Sequence, residues 1–120
     1  MVNSKHFKES EFNRCSPSCS LQDMQQATID KLDKARDIAG IPFVLTSAYR
    51  SPQHDKSKGR SGTGAHTLGH AIDIRCNDSA SRYKIVLALQ QAGFTRIGVA
   101  NSFVHADDSP KHAQDILWTY

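Results

Sequence analysis

The chain has 120 residues, 38% of them hydrophobic and 22% charged, with a formal charge of +3. That length supports one domain, residues 1–120, built on a single modest core. No apolar run approaches a membrane span, and Lys and Arg are scattered instead of gathered into a basic stripe, so neither a membrane nor a nucleic-acid partner is expected.

The opening "MVNSKHFKES" has no apolar h-region, so no signal peptide is expected. Cys15 and Cys19 form a C-x3-C pair and Cys76 stands apart. This spacing does not complete a four-thiolate zinc site, which leaves free thiols, or one disulfide and a spare thiol. A helix is predicted over Leu21–Ala39, with Ser20 as N-cap and Leu21, Met24, Thr28, Leu32, Ala35 and Ile38 as its apolar stripe. Gly40 stops it and Pro42 prevents a restart. "PFVLTSAY" reads as a buried strand. Residues 51–64 are polar, rich in Ser and Gly and without a hydrophobic period, a loop long enough to expect a functional role.

A second strand is predicted at about His70–Arg75. A second helix follows over Ala80–Ala92, capped by Ser79 and closed by Gly93, with Tyr83, Val86, Leu87 and Gln90 near one face. "RIGVANSFVHAD" reads as a hairpin turning at Asn101, and "DILWTY" as an edge strand. The pattern is α+β, with helices packed on a small antiparallel sheet.

Alternate residues of a strand share a face. In "HAIDI", Ala71 and Asp73 oppose Ile72 and Ile74. In "FVHAD", Phe103, His105 and Asp107 oppose Val104 and Ala106. If these strands are neighbours, Asp73, His105 and Asp107 converge, and Gly69 lets the preceding segment bring His66 toward Asp73. Taken singly, each of these side chains reads most simply as a hydrogen-bonded polar residue. Together, two imidazoles and a carboxylate with a position left for water match a catalytic zinc site, and the cation would compensate the burial of Asp73. The spacing is not that of the helical H-E-x-x-H class. His70 is expected to turn away from this face, His6, His54 and His112 to face solvent, and Tyr49 and Trp118 to serve packing.

"AHTLGHAID" resembles the S-x-H-x-x-G-x-A-x-D signature of the M15 zinc peptidases, the D-Ala-D-Ala carboxypeptidase and L-alanyl-D-glutamate endopeptidase group. "SAYRS" resembles that family's arginine segment and "FVHAD" its downstream ligand segment, while "KHFKESEF" and the first helix are similar to the compact branch common in bacteriophages. The resemblance implies a hedgehog/D-Ala-D-Ala-peptidase-like fold, one zinc ion per chain held by His66, Asp73 and His105, and Arg50 at the substrate's carboxylate or carbonyl. Two positions depart from the family pattern. Gly64 stands where Ser is usual, and Ser102 stands where many relatives carry an acidic general base. Asp107 is therefore the candidate catalytic base, or else an orienter of a ligand histidine.

The activity implied is hydrolysis of peptidoglycan stem peptides or crosslinks by a monomeric, phage-encoded enzyme. It would be cytoplasmic until lysis, or carried in the virion. The competing reading is a non-catalytic zinc fold kept for binding cell wall or protein.

Overall fold

The structure, a computed structural model, describes residues 1–12, 20–48 and 65–120. Tyr49, Arg50, His54, Gly64, Cys15 and Cys19 lie outside these residues. Among the described residues, helices α1 (Gln26–Ala39) and α2 (Ser79–Ala92) pack on each other and on one five-stranded sheet. Its strands are β1 (Leu45–Ser47), β2 (Ala71–Arg75), β3 (Arg96–Val99), β4 (Phe103–Asp107) and β5 (Ile116–Thr119), in the order β1-β2-β4-β3-β5. This is the α+β class read from the sequence.

The core lies between the helices and one face of the sheet. Ile29, Leu32 and Ala35 of α1 and Ile85, Ala88, Leu89 and Ala92 of α2 are buried with Leu45, Ile72, Ile74, Ile97, Val104 and Ala106. The N-terminal segment adds Phe7 and Phe12, whose rings meet edge to face at 6.5 Å. Asp33 holds that segment on α1 by accepting hydrogen bonds from the Ser4 hydroxyl and from the backbone N–H groups of Lys5 and His6.

Several local expectations need correction. Ser20 caps a short 3-10 turn, Leu21–Asp23, and α1 begins only at Gln26 after an extended Met24. The break has a tertiary cause: the Gln25 N–H donates to the Gly69 carbonyl at 3.0 Å, and its side chain donates to the Leu68 carbonyl. The buried face of α1 also centres on Ile29, whereas Ile38 is substantially exposed.

Helix α2 starts one residue earlier than expected and is capped by Asp78, which accepts from the Ser81 N–H. Its buried stripe is Ile85, Ala88, Leu89 and Ala92, and Tyr83 and Leu87 face outward. Alanines carry little hydrophobic weight in a sequence pattern, yet small side chains are what two helices need to approach closely.

The hairpin turns at Asn101 as expected, with the Ala100 N–H donating to the Phe103 carbonyl. The tail forms an edge strand, but β5 runs parallel to β3. Strand β4 ends beside the start of β3, where Arg96 faces Asp107. The 108–115 connector therefore has only to step past that end of β3, and a strand begun there runs in the same direction.

Gly69 has a φ of +76°, and a Cβ placed on it would fall on the Asp23 carbonyl oxygen, a rigid backbone atom. Gly69→Ala is expected to destabilise the fold by at least about 1–3 kcal/mol, the usual scale of a left-handed non-glycine residue. The urea midpoint of unfolding would read this loss.

Candidate metal centre

Each candidate ligand is delivered by a different piece of backbone. His66 rides on a 3-10 turn, Ala65–Leu68, which is held to the start of α1 through Gly69. Asp73 is central in β2 and His105 central in β4, and the ladder pairs them directly. Their side chains rise from the face opposite Ile72, Ile74, Val104 and Ala106. Alternation and register together therefore put one carboxylate and one imidazole side by side, and the turn brings the second imidazole over them.

His66, Asp73 and His105 each offer a ligand atom within 4.8 Å of the others. The His105 Nδ1 is 2.8 Å from Asp73 Oδ1, the His66 Nε2 is 3.5 Å from Asp73 Oδ2, and the two imidazole rings lie 5.1 Å apart. The far nitrogens are also engaged. His66 Nδ1 donates to the Ala48 carbonyl at 2.7 Å, and His105 Nε2 donates to Asp107 Oδ2 at 2.6 Å.

These outer partners set the tautomers, because a carbonyl and a carboxylate can only accept. With its other nitrogen donating, His66 turns Nε2 and His105 turns Nδ1 toward Asp73. The two unprotonated nitrogens and a carboxylate oxygen then form a nitrogen–oxygen donor set suited to zinc. The residues present fit the ion.

Asp107 does sit on the His105 face, but behind the imidazole. It is fully buried. Its Oδ2 accepts the hydrogen bond from His105 Nε2–H, and its Oδ1 accepts from Arg96 Nε at 2.7 Å and from the Ser109 N–H at 3.2 Å. Ser102 is exposed at the hairpin turn, where its carbonyl accepts from the Cys76 N–H.

The electrostatics follow from this packing. Burial alone would raise the Asp73 pKa, but hydrogen bonds from His105 and His66 and their charges hold it far below the usual carboxylate range. For His105, burial would favour the neutral ring. Hydrogen bonds to Asp107 and Asp73 outweigh it and move its pKa upward. Asp107 is likewise opposed by burial, yet its bonds with His105 and the Ser109 N–H, with the Arg96 charge, move it downward.

Other histidines have partners outside this cluster. His70 Nδ1 is 3.0 Å from Asp108, which also accepts from the Thr28 hydroxyl and from Lys31, so it helps fasten α1 to the sheet. His6 and His112, expected to face solvent without partners, contact Asp37 and the Ser109 hydroxyl respectively. Cys76 is a buried free thiol.

Two neighbours of the site were not singled out from the sequence as contributors. Arg96 supports Asp107, and applying strand alternation to "RIGV" places Arg96 and Gly98 on the site face. Trp118, assigned to packing, lies over Gly98 with its ring 5.4 Å from that of His105. A Cβ on Gly98 would come within 2.6 Å of the indole, so the bare backbone makes room for it.

Two imidazoles and one carboxylate on one face of the sheet, each imidazole backed by an acceptor, make a candidate metal centre. Residues 5–107 match the Peptidase M15 family, and the chain belongs to this family of zinc-dependent metallopeptidases. No curated protein shows a significant match to the chain. No helix among the described residues is long and apolar enough to cross a membrane.

The raised pKa of His105 gives opposite pH slopes for metal binding and for metal-free stability. Protons compete for Nδ1, so zinc affinity is expected to fall as pH drops through a value above the ordinary 6.5. In the metal-free protein, the ion pairs of protonated His105 stabilise the fold fully below 6.5 and are lost as pH rises through the raised value. Zinc titrations and urea unfolding between about pH 5 and 8 would check both slopes.

Proposed function

We propose that this domain is a zinc-dependent peptidoglycan peptidase that cleaves stem-peptide or crosslink bonds involving D-amino acids. It would act as a monomer, either as a D-Ala-D-Ala carboxypeptidase or as an endolysin-type endopeptidase. The observation that carries this reading is the donor set of three found among the described residues, His66, Asp73 and His105. Structural zinc sites close with four protein ligands, whereas catalytic ones use three and keep a position for water or substrate. Membership of the Peptidase M15 family supports the same chemistry.

In this reading His66, Asp73 and His105 hold one zinc ion. When bound, the ion supplies Lewis acidity, bringing the pKa of a water to about 7 and polarising a peptide carbonyl. The chain's own part is to keep the ligands deprotonated and aimed. The Ala48 carbonyl holds His66, and Asp107 holds the His105 proton on Nε2. Asp107 is thus assigned as an orienting residue, not a general base, because both its oxygens are occupied and it lies on the far side of the imidazole. Arg50, outside the described residues, is assigned to the substrate's carboxylate or scissile carbonyl, for which a planar guanidinium is suited. A phage-encoded protein acting on the wall after lysis, or from the virion, is the setting consistent with this activity.

Digestion of purified cell wall by zinc-loaded protein, with products identified by mass spectrometry, tests the activity and names the bond. His66→Ala is expected to lose both zinc and hydrolysis. Asp107→Asn separates its two roles. An orienter's loss appears as roughly 10- to 100-fold weaker zinc binding, with activity recovered at saturating zinc. A base's loss would persist at saturating zinc as a fall of about 10²–10⁴ in rate. A wild type that binds zinc but leaves every wall preparation intact would favour the non-catalytic binding module.

A further inference from the structure

Arg96 spends one guanidinium on three different parts of the molecule. Its Nε donates to Asp107 Oδ1 at 2.7 Å, and its Nη1 donates to the Ala113 carbonyl at 2.7 Å. Its planar head also lies over Trp118, 5.3 Å from the ring centroid. Through Asp107 the first contact reaches His105, while the other two belong to the chain after β4. The family match ends at residue 107, so Ala113 and Trp118 both lie beyond it.

We propose that Arg96 is a positioning residue of the metal centre, and that through it the C-terminal segment 109–119 takes part in holding His105. The Asp107 carboxylate can orient the imidazole only if it is itself held. Its Oδ1 takes the Arg96 Nε–H, and that guanidinium is in turn fixed by a carbonyl of the connector and by the indole brought in by β5. Trp118 also abuts the His105 ring directly, at 5.4 Å between centroids. The task requires arginine. A planar fork can donate along two edges and still present a face to an aromatic ring, whereas a lysine ammonium is a single point charge. Lysine could neutralise Asp107 but could not also serve Ala113 and Trp118 with the same geometry.

The inference rests on the metal-binding reading, and its test reads zinc affinity, not hydrolysis. Zinc dissociation constants of wild type, Arg96→Met, Arg96→Lys and Trp118→Leu would be measured by competition with a chromophoric chelator. Fold would be followed by circular dichroism and stability by urea unfolding. Arg96→Met is expected to bind zinc roughly 10- to 100-fold more weakly, the usual cost of removing an outer partner of a metal ligand. Arg96→Lys should fall between it and wild type, and Trp118→Leu should weaken binding by a smaller factor. Trp118 is the only tryptophan, so its emission reports the same site directly. The zinc-induced change in emission should shrink in Arg96→Lys.

If Arg96→Met does not fold, Arg96→Lys carries the test. A folded Arg96→Lys with wild-type zinc affinity and wild-type emission change overturns the proposal. So does a variant that loses urea stability while its zinc affinity stays unchanged, since Arg96 would then serve the fold alone. Arg96 variants weakened while Trp118→Leu binds as wild type does would overturn the part given to the C-terminal segment. A wild type that takes up no zinc would instead remove the metal-binding reading, and this inference with it.

Discussion

Everything around the site answers to one largely buried charge. Asp73 stands in a strand whose neighbours are aliphatic, and among the described residues its ionic partners are two histidines. An ionised carboxylate in such a place costs several kcal/mol unless a cation compensates it. Imidazoles are conditional cations: they offer protons at low pH and lone pairs at high pH. A site built from Asp73, His66 and His105 can therefore be neutralised either by protons or by one metal ion, which is the exchange a metal-binding enzyme needs.

The support is arranged in shells that reach progressively further along the chain. His66 depends on a carbonyl from the end of β1, and its turn depends on the start of α1 through Gly69. His105 depends on Asp107, Asp107 on Arg96, and Arg96 on the connector and β5. The helices supply none of the three candidate ligands, yet they set where the turn sits and cover the sheet's other face. Asp108 repeats the principle beside the site, joining Thr28, Lys31 and His70 so that α1 and the end of β4 keep a fixed spacing.

Strand alternation made the candidate ligands legible, because a period of two leaves only two faces to choose from. Asp73 and His105 are on one face for the same reason that Ile72 and Val104 are on the other. Less was readable where tertiary contacts outvote local pattern. The spacing of Leu21, Met24 and Thr28 suits a helix, but Gln25 is drawn to Gly69 and the helix starts late. The inner face of α2 is hard to read in the sequence because Ala88 and Ala92 are faint signals beside Tyr83 and Leu87. The parallel course of β5 leaves no trace in "DILWTY", since direction within a sheet is decided by where the connector arrives. Arg96 was readable in principle, by carrying alternation one strand further.

The direct pairing of Asp73 with His105 also bears on how the chain reaches this fold. Strands β3 and β4 are joined by a tight turn and can align early, whereas β2 must find β4 across the whole of α2. A slip of one residue in that pairing would put Val104 or Ala106 opposite Asp73 and would send His105 toward the aliphatic core. Only the correct alignment assembles the donor set, so metal binding adds its free energy to one register and to none of its neighbours. A bound ion would then act as a proofreader of strand pairing, favouring the one sheet in which chemistry and packing agree.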